Sequence, residues 1–242
     1  MIMTTTEFSN AFDIALSSYQ STIDYNKQVT NTEIALNEYE KSYFLTKAQE
    51  EIVKAIYNGL SIFDSFEKTE TARRQLDALV KQQVYSKTVK KDTGFHDKFN
   101  HYSFELPQDC WYIIFEQAIT IKSDKKCDSE KVLEVYPVTH DDYHRIVKNP
   151  FRGPNTRKVL RLDFGELQVE IVSNYELSKY LVRYLSKPSP IVLCDLTADG
   201  ISIDGVSTPT ECELSELLHQ EILDRAVQLA VTSKIALNNI QK

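Results

Sequence analysis

The chain has 242 residues, of which 42% are hydrophobic and 26% are charged, a composition typical of a globular protein rather than a disordered one. Its formal net charge of −7 disfavours a tightly bound nucleic acid, because phosphate binding needs a basic surface. No apolar run approaches the roughly 20 residues needed to span a bilayer, and the first ten residues lack the pattern of a signal peptide.

The cysteines are also uninformative about metals. Cys110, Cys127, Cys194 and Cys212 are widely spaced and form no C-x-x-C pair. This spacing favours neither a zinc knuckle nor a disulfide scaffold, and it is typical of reduced thiols in a protein assembled inside a cell.

The first thirty residues predict a short helix. Phe8, Phe12, Leu16 and Tyr19 follow one another at spacings of four, four and three, which places them on one helical face. The polar residues between and after them leave two interpretations open, a mobile arm or a helix that docks on a neighbour. We favour a helix.

The segment from Asn37 to Gly59 predicts a helix with both ends marked. Asn37 and Glu40 form a capping-box pattern, and Gly59 is a typical terminator. A broad apolar stripe should face the core, and a charged face that includes Lys41 should lie opposite. The stripe consists of Tyr39, Tyr43, Phe44, Ala48, Ile52, Val53, Ile56 and Tyr57.

The periodicity changes from helical to alternating near residue 83. A third helix is predicted over Thr69–Gln82, followed by alternating segments that predict strands. These strands are expected at Val84–Val89, Tyr102–Leu106, Cys110–Ile121, Tyr180–Leu185 and Ile191–Leu193, with a polar loop at Lys90–His101.

The middle of the chain predicts a strand, a capped helix, a basic loop and a hairpin. Val132–Tyr136 has apolar residues on both faces and should be mostly buried, and Pro137 should end this strand. Thr139 is placed to cap a helix that ends at Asn149, because the next residue is proline. Two further alternating runs should pair across Phe164-Gly165-Glu166.

The C-terminal segment predicts one long helix over residues 213–237, packed against the first helices. Its inward stripe is expected to contain Leu214, Leu217, Leu218, Ile222, Ala226, Leu229, Ala230 and Ile235. The predicted fold is therefore α+β. It comprises a helical region at 1–82, a β-rich and mainly antiparallel region at 83–210 with a short helix at 139–149, and a C-terminal helix at 211–242.

Two histidines on the predicted short helix suggest a metal site. His140-Asp141-Asp142-Tyr143-His144 imitates the zinc-protease pattern H-E-x-x-H, with Asp in place of the longer Glu. The alternative is that the two aspartates stabilise the helix start and that the histidines are surface groups. We favour the alternative, because the helix is short and nothing marks His219 as a third ligand.

The loop Asn149–Lys158 also allows two interpretations. Basic residues and an aromatic can indicate a nucleic-acid contact, but a Pro/Gly-rich loop with one aromatic is equally typical of protein docking. The negative net charge of the chain favours protein docking over nucleic-acid binding. Cys194 and Cys212 have no histidine at an interpretable position, and no glycine-rich phosphate motif is present, so the sequence predicts neither a catalytic residue nor a cofactor.

Three segments together resemble a structural protein of crAss-like bacteriophages, most closely the virion neck ring proteins that act as portal adaptors or head-to-tail connectors. They are NEYEKSYFLTKAQEEIVKAIYNG (Asn37–Gly59), YPVTHDDYHRIVKNPFRGP (Tyr136–Pro154) and CELSELLHQEILDRAVQLA (Cys212–Ala230). The resemblance covers most of the chain from about Asn37, and the first thirty residues match nothing in this family.

The resemblance implies a non-enzymatic virion protein that is assembled in the cytoplasm of the host bacterium. Such proteins form homo-oligomeric rings, commonly of twelve copies, whose subunits are joined by head-to-tail contacts. The rings contact the portal and other neck or tail proteins and extend the DNA channel. DNA would pass through the channel without specific binding, and no membrane is involved. A tail or collar structural protein is the alternative to a neck ring, and a metal-dependent hydrolase using His140 and His144 is a less favoured one. The expected contact residues are Phe151, Arg152 and Arg157 of the loop, with Leu218, Ile222 and Leu229 of the C-terminal helix.

Overall fold

The fold is taken from a computed structural model that describes residues 3–27, 35–59, 66, 68–86, 90, 98–121, 130–165 and 167–240. Cys127, Glu166, most of the predicted loop at 90–101, the end of the predicted strand at Val89 and the side chain of Ile235 lie outside the described residues. The chain divides into two compact units. We call Met1–Leu79 with Pro188–Lys242 the helical unit, and Val80–Lys187 the β unit.

The described residues form five helices and seven strands, so the predicted α+β class is confirmed. The helices are α1 (Thr5–Lys27), α2 (Glu38–Asn58), α3 (Glu70–Gln75), α4 (His140–Val147) and α5 (His219–Ile240). The strands are β1 (Val80–Tyr85), β2 (Asn100–Glu105), β3 (Cys110–Thr120), β4 (Val132–Pro137), β5 (Lys158–Phe164), β6 (Gln168–Ser173) and β7 (Leu177–Ser186). The division into regions ending at residues 82 and 210 stays a prediction.

The helix α2 begins and ends where the sequence predicts. The Asn37 side chain accepts a hydrogen bond from the Glu40 backbone N–H at 2.7 Å, and the Glu40 carboxylate accepts one from the Asn37 N–H at 3.1 Å. At the other end Gly59 adopts φ 66°, a left-handed conformation that costs glycine little. Both ends are therefore fixed by local chemistry.

The predicted N-terminal helix is confirmed as α1, and within the helical unit it packs against α2 and α5. Phe8, Phe12 and Leu16 are buried. The assignment of Lys41 to the exposed face of α2 is wrong, because its ammonium is buried among acceptors of α1 and α2.

The β unit is one seven-stranded sheet in the order β1-β7-β3-β4-β5-β6-β2. All neighbouring strands are antiparallel except β4 and β5, which run parallel and are connected through α4. The predicted hairpin of β5 and β6 is confirmed. One face of the sheet forms a core around Tyr102 and Tyr180, and α4 covers Leu160, Leu162 and Val172 on the other face.

The outermost strands of this sheet, β1 and β2, come together through aromatic side chains. The ring of Tyr85 in β1 lies 5.2 Å from that of Phe104 in β2 and 5.7 Å from that of Tyr180 in β7. The Tyr85 hydroxyl donates a hydrogen bond to the Glu105 carbonyl at 2.5 Å. The sheet is therefore curved, with side chains closing the gap between its two edges.

One prediction about β4 is wrong and one is confirmed. Val132 and Tyr136 are more than half exposed, because the β3–β4 pairing covers only three residues and Leu133 alone is buried. The prediction that Pro137 ends this strand is confirmed, since β4 ends at Pro137, which pairs with Arg161 in β5. One further hydrogen bond follows, from the Val138 N–H to the Arg161 carbonyl at 2.8 Å.

Helix ends away from α2 differ from prediction in three places. Helix α3 ends at Gln75 rather than Gln82, because Val80–Tyr85 pairs with β7. Thr139 precedes α4 as expected, but its side chain makes no capping hydrogen bond. At the C-terminus, a 3-10 turn at Glu216–Leu218 precedes α5, which begins at His219.

Candidate interaction surface

The loop between α4 and β5 is held in one conformation by its own asparagines. The Asn149 side chain accepts hydrogen bonds from the backbone N–H groups of Phe151 at 2.9 Å and Arg152 at 3.3 Å. The Asn155 side chain does the same for Arg157 at 2.9 Å and Lys158 at 3.2 Å. Such turns order a loop without a regular element.

Further contacts tie this loop to the β unit. A Cβ on Gly153 would lie 3.1 Å from the carbonyl oxygens of Asn149 and Val147, so a side chain there would require the neighbouring backbone to shift by a few tenths of an ångström. The Asn174 side chain donates a hydrogen bond to the Pro154 carbonyl at 2.7 Å. We call residues 148–158 the basic loop, and its backbone is pre-organised.

The basic loop presents its side chains outward. Phe151 is 86% exposed, which makes it the most exposed of the large apolar side chains in the described part of the chain. Arg152 and Arg157 are also exposed, and neither guanidinium has a carboxylate partner among the residues described. An exposed aromatic beside two arginines, on an ordered loop, is the composition of a protein–protein hot spot.

The three predicted contact residues of the C-terminal helix lie in different surroundings. Leu218 and Ile222 are fully buried, and Leu229 is half-buried. In the folded chain Leu218 and Ile222 therefore stabilise the subunit itself and are not surface residues.

The inward position predicted for Leu217 is wrong, since its side chain is 71% exposed. The cause is the 3-10 turn, which shifts this residue out of the helical register.

The histidine pair does not converge on a common point. His140 shares a 2.7 Å hydrogen bond between its Nε2 and the Asp163 carbonyl, and its ring packs edge-on against Phe164. The ring of His144 packs instead against Tyr143. His219 belongs to the other unit, where its Nδ1 accepts from the Met3 N–H at 3.4 Å and its Nε2 donates to the Leu214 carbonyl at 3.2 Å. Among the described residues, no group of three or more potential ligands is placed to hold a metal ion.

The described thiols are poorly suited to nucleophilic chemistry. Cys110, Cys194 and Cys212 are free. Burial raises the pKa of Cys110 and of Cys212 to about 11, and it raises the pKa of Cys194 as well. A thiol with a raised pKa remains protonated at neutral pH, whereas the thiolate is the reactive form.

The buried charges of the β unit are paired with one another. Arg161 and Tyr180 both donate hydrogen bonds to the Glu116 carboxylate, and Arg161 also lies 2.8 Å from Asp163. Burial raises the pKa of Glu116 despite the neighbouring guanidinium. On the α4-covered face, His101 Nδ1 lies 2.5 Å from the Glu170 carboxylate, and both side chains are buried. These groups are used inside the subunit.

Sequence reasoning missed Leu217 as an exposed residue and Glu116–Arg161–Tyr180 as a cluster. A usable signal existed for Leu217, because no lysine or arginine occurs between Lys187 and Arg225 and the sequence around Leu217 is strongly acidic. No local signal existed for the buried cluster, whose members are separated by 45 and 64 positions in the chain.

An α+β protein that holds an aromatic and two arginines on an ordered loop, and that pairs its buried charges internally, has the features of a subunit in a protein assembly. The profile of the phage tail ring protein 3/4 family matches residues 3–242, and the chain belongs to this family. It is similar to ring protein 3 of Bacteroides phage crAss001, with 44% identity over 237 residues that cover 97% of this chain and 98% of the relative. It is also similar to ring protein 4/5 of the same phage, with 33% identity over 94% of this chain and 92% of the relative.

These matches confirm the resemblance to crAss-like neck ring proteins that the three segments indicate. They also extend it to α1, because the family profile begins at residue 3. The chain is thus a structural ring protein of a crAss-like phage. None of the described helices is both long enough and apolar enough to cross a membrane.

Proposed function

We propose that this chain is a structural subunit of the neck of a tailed phage, where it forms a ring between portal and tail that extends the DNA channel. The carrying observation is the family match over residues 3–242. The two relatives are named as different ring proteins of one phage, ring protein 3 and ring protein 4/5, and each aligns with nearly the whole of this chain. The same fold would therefore serve here in a ring of identical subunits.

The ring is proposed to contain about twelve copies joined by head-to-tail contacts, a geometry in which one surface of each subunit meets a different surface of the next. The portal and further neck or tail proteins would be its axial partners. The proposed contact residues are the exposed Phe151, Arg152 and Arg157. The backbone that carries them is pre-organised, and neither arginine has a carboxylate partner among the described residues.

The proposed role is non-enzymatic and needs no cofactor. DNA would pass through the ring without specific binding. Each subunit has a net charge of −7, so a ring of such subunits is negatively charged overall and repels the DNA phosphates. The protein would be assembled in the cytoplasm of the host bacterium and would remain in the virion.

Deletion of the gene, with complementation, tests this proposal. Purified wild-type virions should contain the chain by mass spectrometry, and cryo-electron microscopy should show it as a ring below the portal. Lysates lacking the gene should accumulate DNA-filled heads without attached tails. Virions that lack the chain, or normal virions from the deletion strain, would overturn the proposal. Mass measurement of the isolated or portal-bound protein then gives the copy number.

A tail or collar position is the second candidate, and the family description favours it by its reference to a tail ring. Labelling the chain in intact virions separates the two positions, because a neck ring lies next to the portal whereas a tail component lies farther from the head. A hydrolase using His140 and His144 is less well supported, since the two rings have different partners. Stoichiometric zinc in the purified protein, lost on His140→Ala or His144→Ala, would reinstate it.

A further inference from the structure

Charge is divided unequally between the two units. The helical unit contains ten basic and twenty acidic residues, a formal net charge of −10. The β unit contains eighteen basic and fifteen acidic residues, a formal net charge of +3. The β unit of one copy and the helical unit of another are therefore electrostatically complementary, a relation that the overall charge of −7 conceals.

The positive charge of the β unit is concentrated around the basic loop. Between Tyr143 and Leu162 the chain has six basic residues and no acidic one. Arg161 is paired with Glu116 inside the β unit and Arg145 with Asp142, so the basic residues of the loop itself are Lys148, Arg152, Arg157 and Lys158. Phe151 is the exposed apolar group of this stretch, and the asparagine-centred turns fix its backbone. The loop thus combines an apolar knob with surrounding positive charge.

The negative charge of the helical unit has a corresponding concentration. Between Pro188 and Asp224 the chain has eight acidic residues and no lysine or arginine. Seven of these carboxylates are on exposed residues, and six of the seven lie within residues 195–217, namely Asp195, Asp199, Asp204, Glu211, Glu213 and Glu216. We call residues 195–217 the acidic segment.

The acidic segment also carries an anchored apolar side chain. Leu217 is 71% exposed, while its neighbour Leu218 is fully buried and holds the 3-10 turn in place. Nearby, the Glu213 carboxylate accepts a hydrogen bond from the Ser189 hydroxyl at 2.7 Å, which fixes the approach to the turn. The segment therefore combines an apolar group with negative charge, the complement of the basic loop.

We propose that the basic loop of one copy docks on the acidic segment of the next copy, with Phe151 against Leu217 and with Arg152 and Arg157 facing Glu213 and Glu216. This inference rests on the proposed ring function and names the contact that joins its subunits. Because the two surfaces differ and both occur on every chain, the contact is heterologous and propagates around a closed ring. A nucleic acid on the loop would satisfy the arginines but would leave the acidic segment without its complement.

Disulfide trapping tests the pairing directly. In a background with Cys127 and Cys194 changed to serine, the Phe151→Cys/Leu217→Cys variant should give a ladder of covalent oligomers on mild oxidation at high protein concentration. The matched control is Phe151→Cys/Ile14→Cys, because Ile14 is 73% exposed and also belongs to the helical unit. An equal ladder from the control, or no ladder from the test variant, would overturn the proposal.

Charge reversal supplies an independent test. Arg152→Glu/Arg157→Glu and Glu213→Lys/Glu216→Lys should each weaken self-association by about tenfold, and the chain carrying all four changes should recover most of that loss. Lys98→Glu/Lys179→Glu removes two exposed lysines elsewhere on the β unit and should have little effect. Assembly is followed by sedimentation velocity, and circular dichroism checks that each variant is folded. Reversals that do not compensate would overturn the pairing.

These outcomes are separable from failure of the proposed function. Rings that are seen in virions but that show no Phe151–Leu217 cross-link contradict the contact and leave the ring function intact. Absence of the chain from virions contradicts the function. Salt-sensitive binding of a short DNA duplex that is lost in Arg152→Glu/Arg157→Glu would assign the loop to nucleic acid and would also overturn the proposal.

Discussion

At the scale of single residues, Lys41 shows how the helical unit joins α1 to α2. Its ammonium donates hydrogen bonds to Ser9 at 3.1 Å, Asp13 at 2.7 Å and Glu38 at 2.9 Å, which uses all three of its N–H groups. Burial alone lowers the pKa of Lys41, but the bonds to the Asp13 and Glu38 carboxylates outweigh it, so the net pKa lies above its usual value.

We expect Lys41→Met to lower the free energy of unfolding of the helical unit by about 1–3 kcal/mol, because three satisfied hydrogen bonds are lost. The exposed Lys47→Met on the same helix is the control. The ammonium's contribution is complete below the usual pKa of 10.5 and is lost as pH rises through the higher pKa of the folded chain. Urea unfolding should therefore show a difference between wild type and Lys41→Met that persists at neutral pH and shrinks above pH 10.5. A difference independent of pH would contradict this account.

The second residue-scale prediction concerns Glu116 and Arg161, which are buried together in the β unit. Arg161→Met should cost about 3–5 kcal/mol, because it leaves the Glu116 carboxylate buried without its cation. Glu116→Gln/Arg161→Met should cost less than the sum of the single changes by about 1–3 kcal/mol, since the glutamine can still accept from Tyr180. Arg183→Met, on an exposed arginine of the same sheet, is the control for charge removal. Additive costs in chemical denaturation would contradict the coupling.

At the scale of elements, predictability follows the range of the interactions that fix each boundary. The ends of α2 were predictable because each cap acts within a few positions, Asn37 with Glu40 at the start and Gly59 with Ile56 at the end. The end of α3 was not, because the pairing of Val80 with Leu185 is decided more than a hundred residues away and overrides local helical preference. The exposure of β4 likewise depends on which strands lie beside it, which alternation along the sequence does not specify.

The same reasoning applies to the interaction surface. Phe151 and Arg152 were identifiable because a Pro/Gly-rich loop with an aromatic is recognisable locally. Leu217 was assigned inward because helical periodicity was extended across Glu216–Leu218, where the chain forms a 3-10 turn instead.

The prediction at this scale tests the two ends of α2. Asn37→Ala should destabilise the helical unit by about 1 kcal/mol through loss of the cap, and Gly59→Ala by about 1–2 kcal/mol through strain at positive φ. Asn58→Ala, at the exposed last position of the helix, should be close to neutral. Thermal unfolding checks all three variants, and a loss for Asn58→Ala equal to the others would show that caps do not fix this helix.

At the scale of the whole molecule, the division of charge predicts that assembly responds to ionic strength. Contacts between a unit of net charge −10 and a unit of +3 are screened by salt, because the screening length falls from about 10 Å at 0.1 M to about 3 Å at 1 M. The apolar pairing of Phe151 with Leu217, in contrast, is not screened. Salt therefore weakens the charged part of the contact, whereas truncation of Phe151 weakens its apolar part.

We expect wild-type self-association to weaken progressively from low to high sodium chloride. Phe151→Ala should weaken it by roughly tenfold at every salt concentration with an unchanged slope, since it removes an apolar anchor. Arg152→Glu/Arg157→Glu should flatten or reverse the slope. Light scattering across a salt series measures both quantities, and a salt-independent wild type would contradict the charge argument.

The aromatic closure of the sheet has a consequence for a ring protein, whose copies must associate without aggregating. Exposed edge strands of a sheet can pair with strands of other chains and so start aggregation, and a high protein concentration makes such pairing faster. By packing Tyr85 against Phe104 and Tyr180, the β unit brings its two edge strands together through side chains. In the proposed ring, copies would then associate through complementary side chains and stop at a fixed number, rather than adding strands without limit through their backbones.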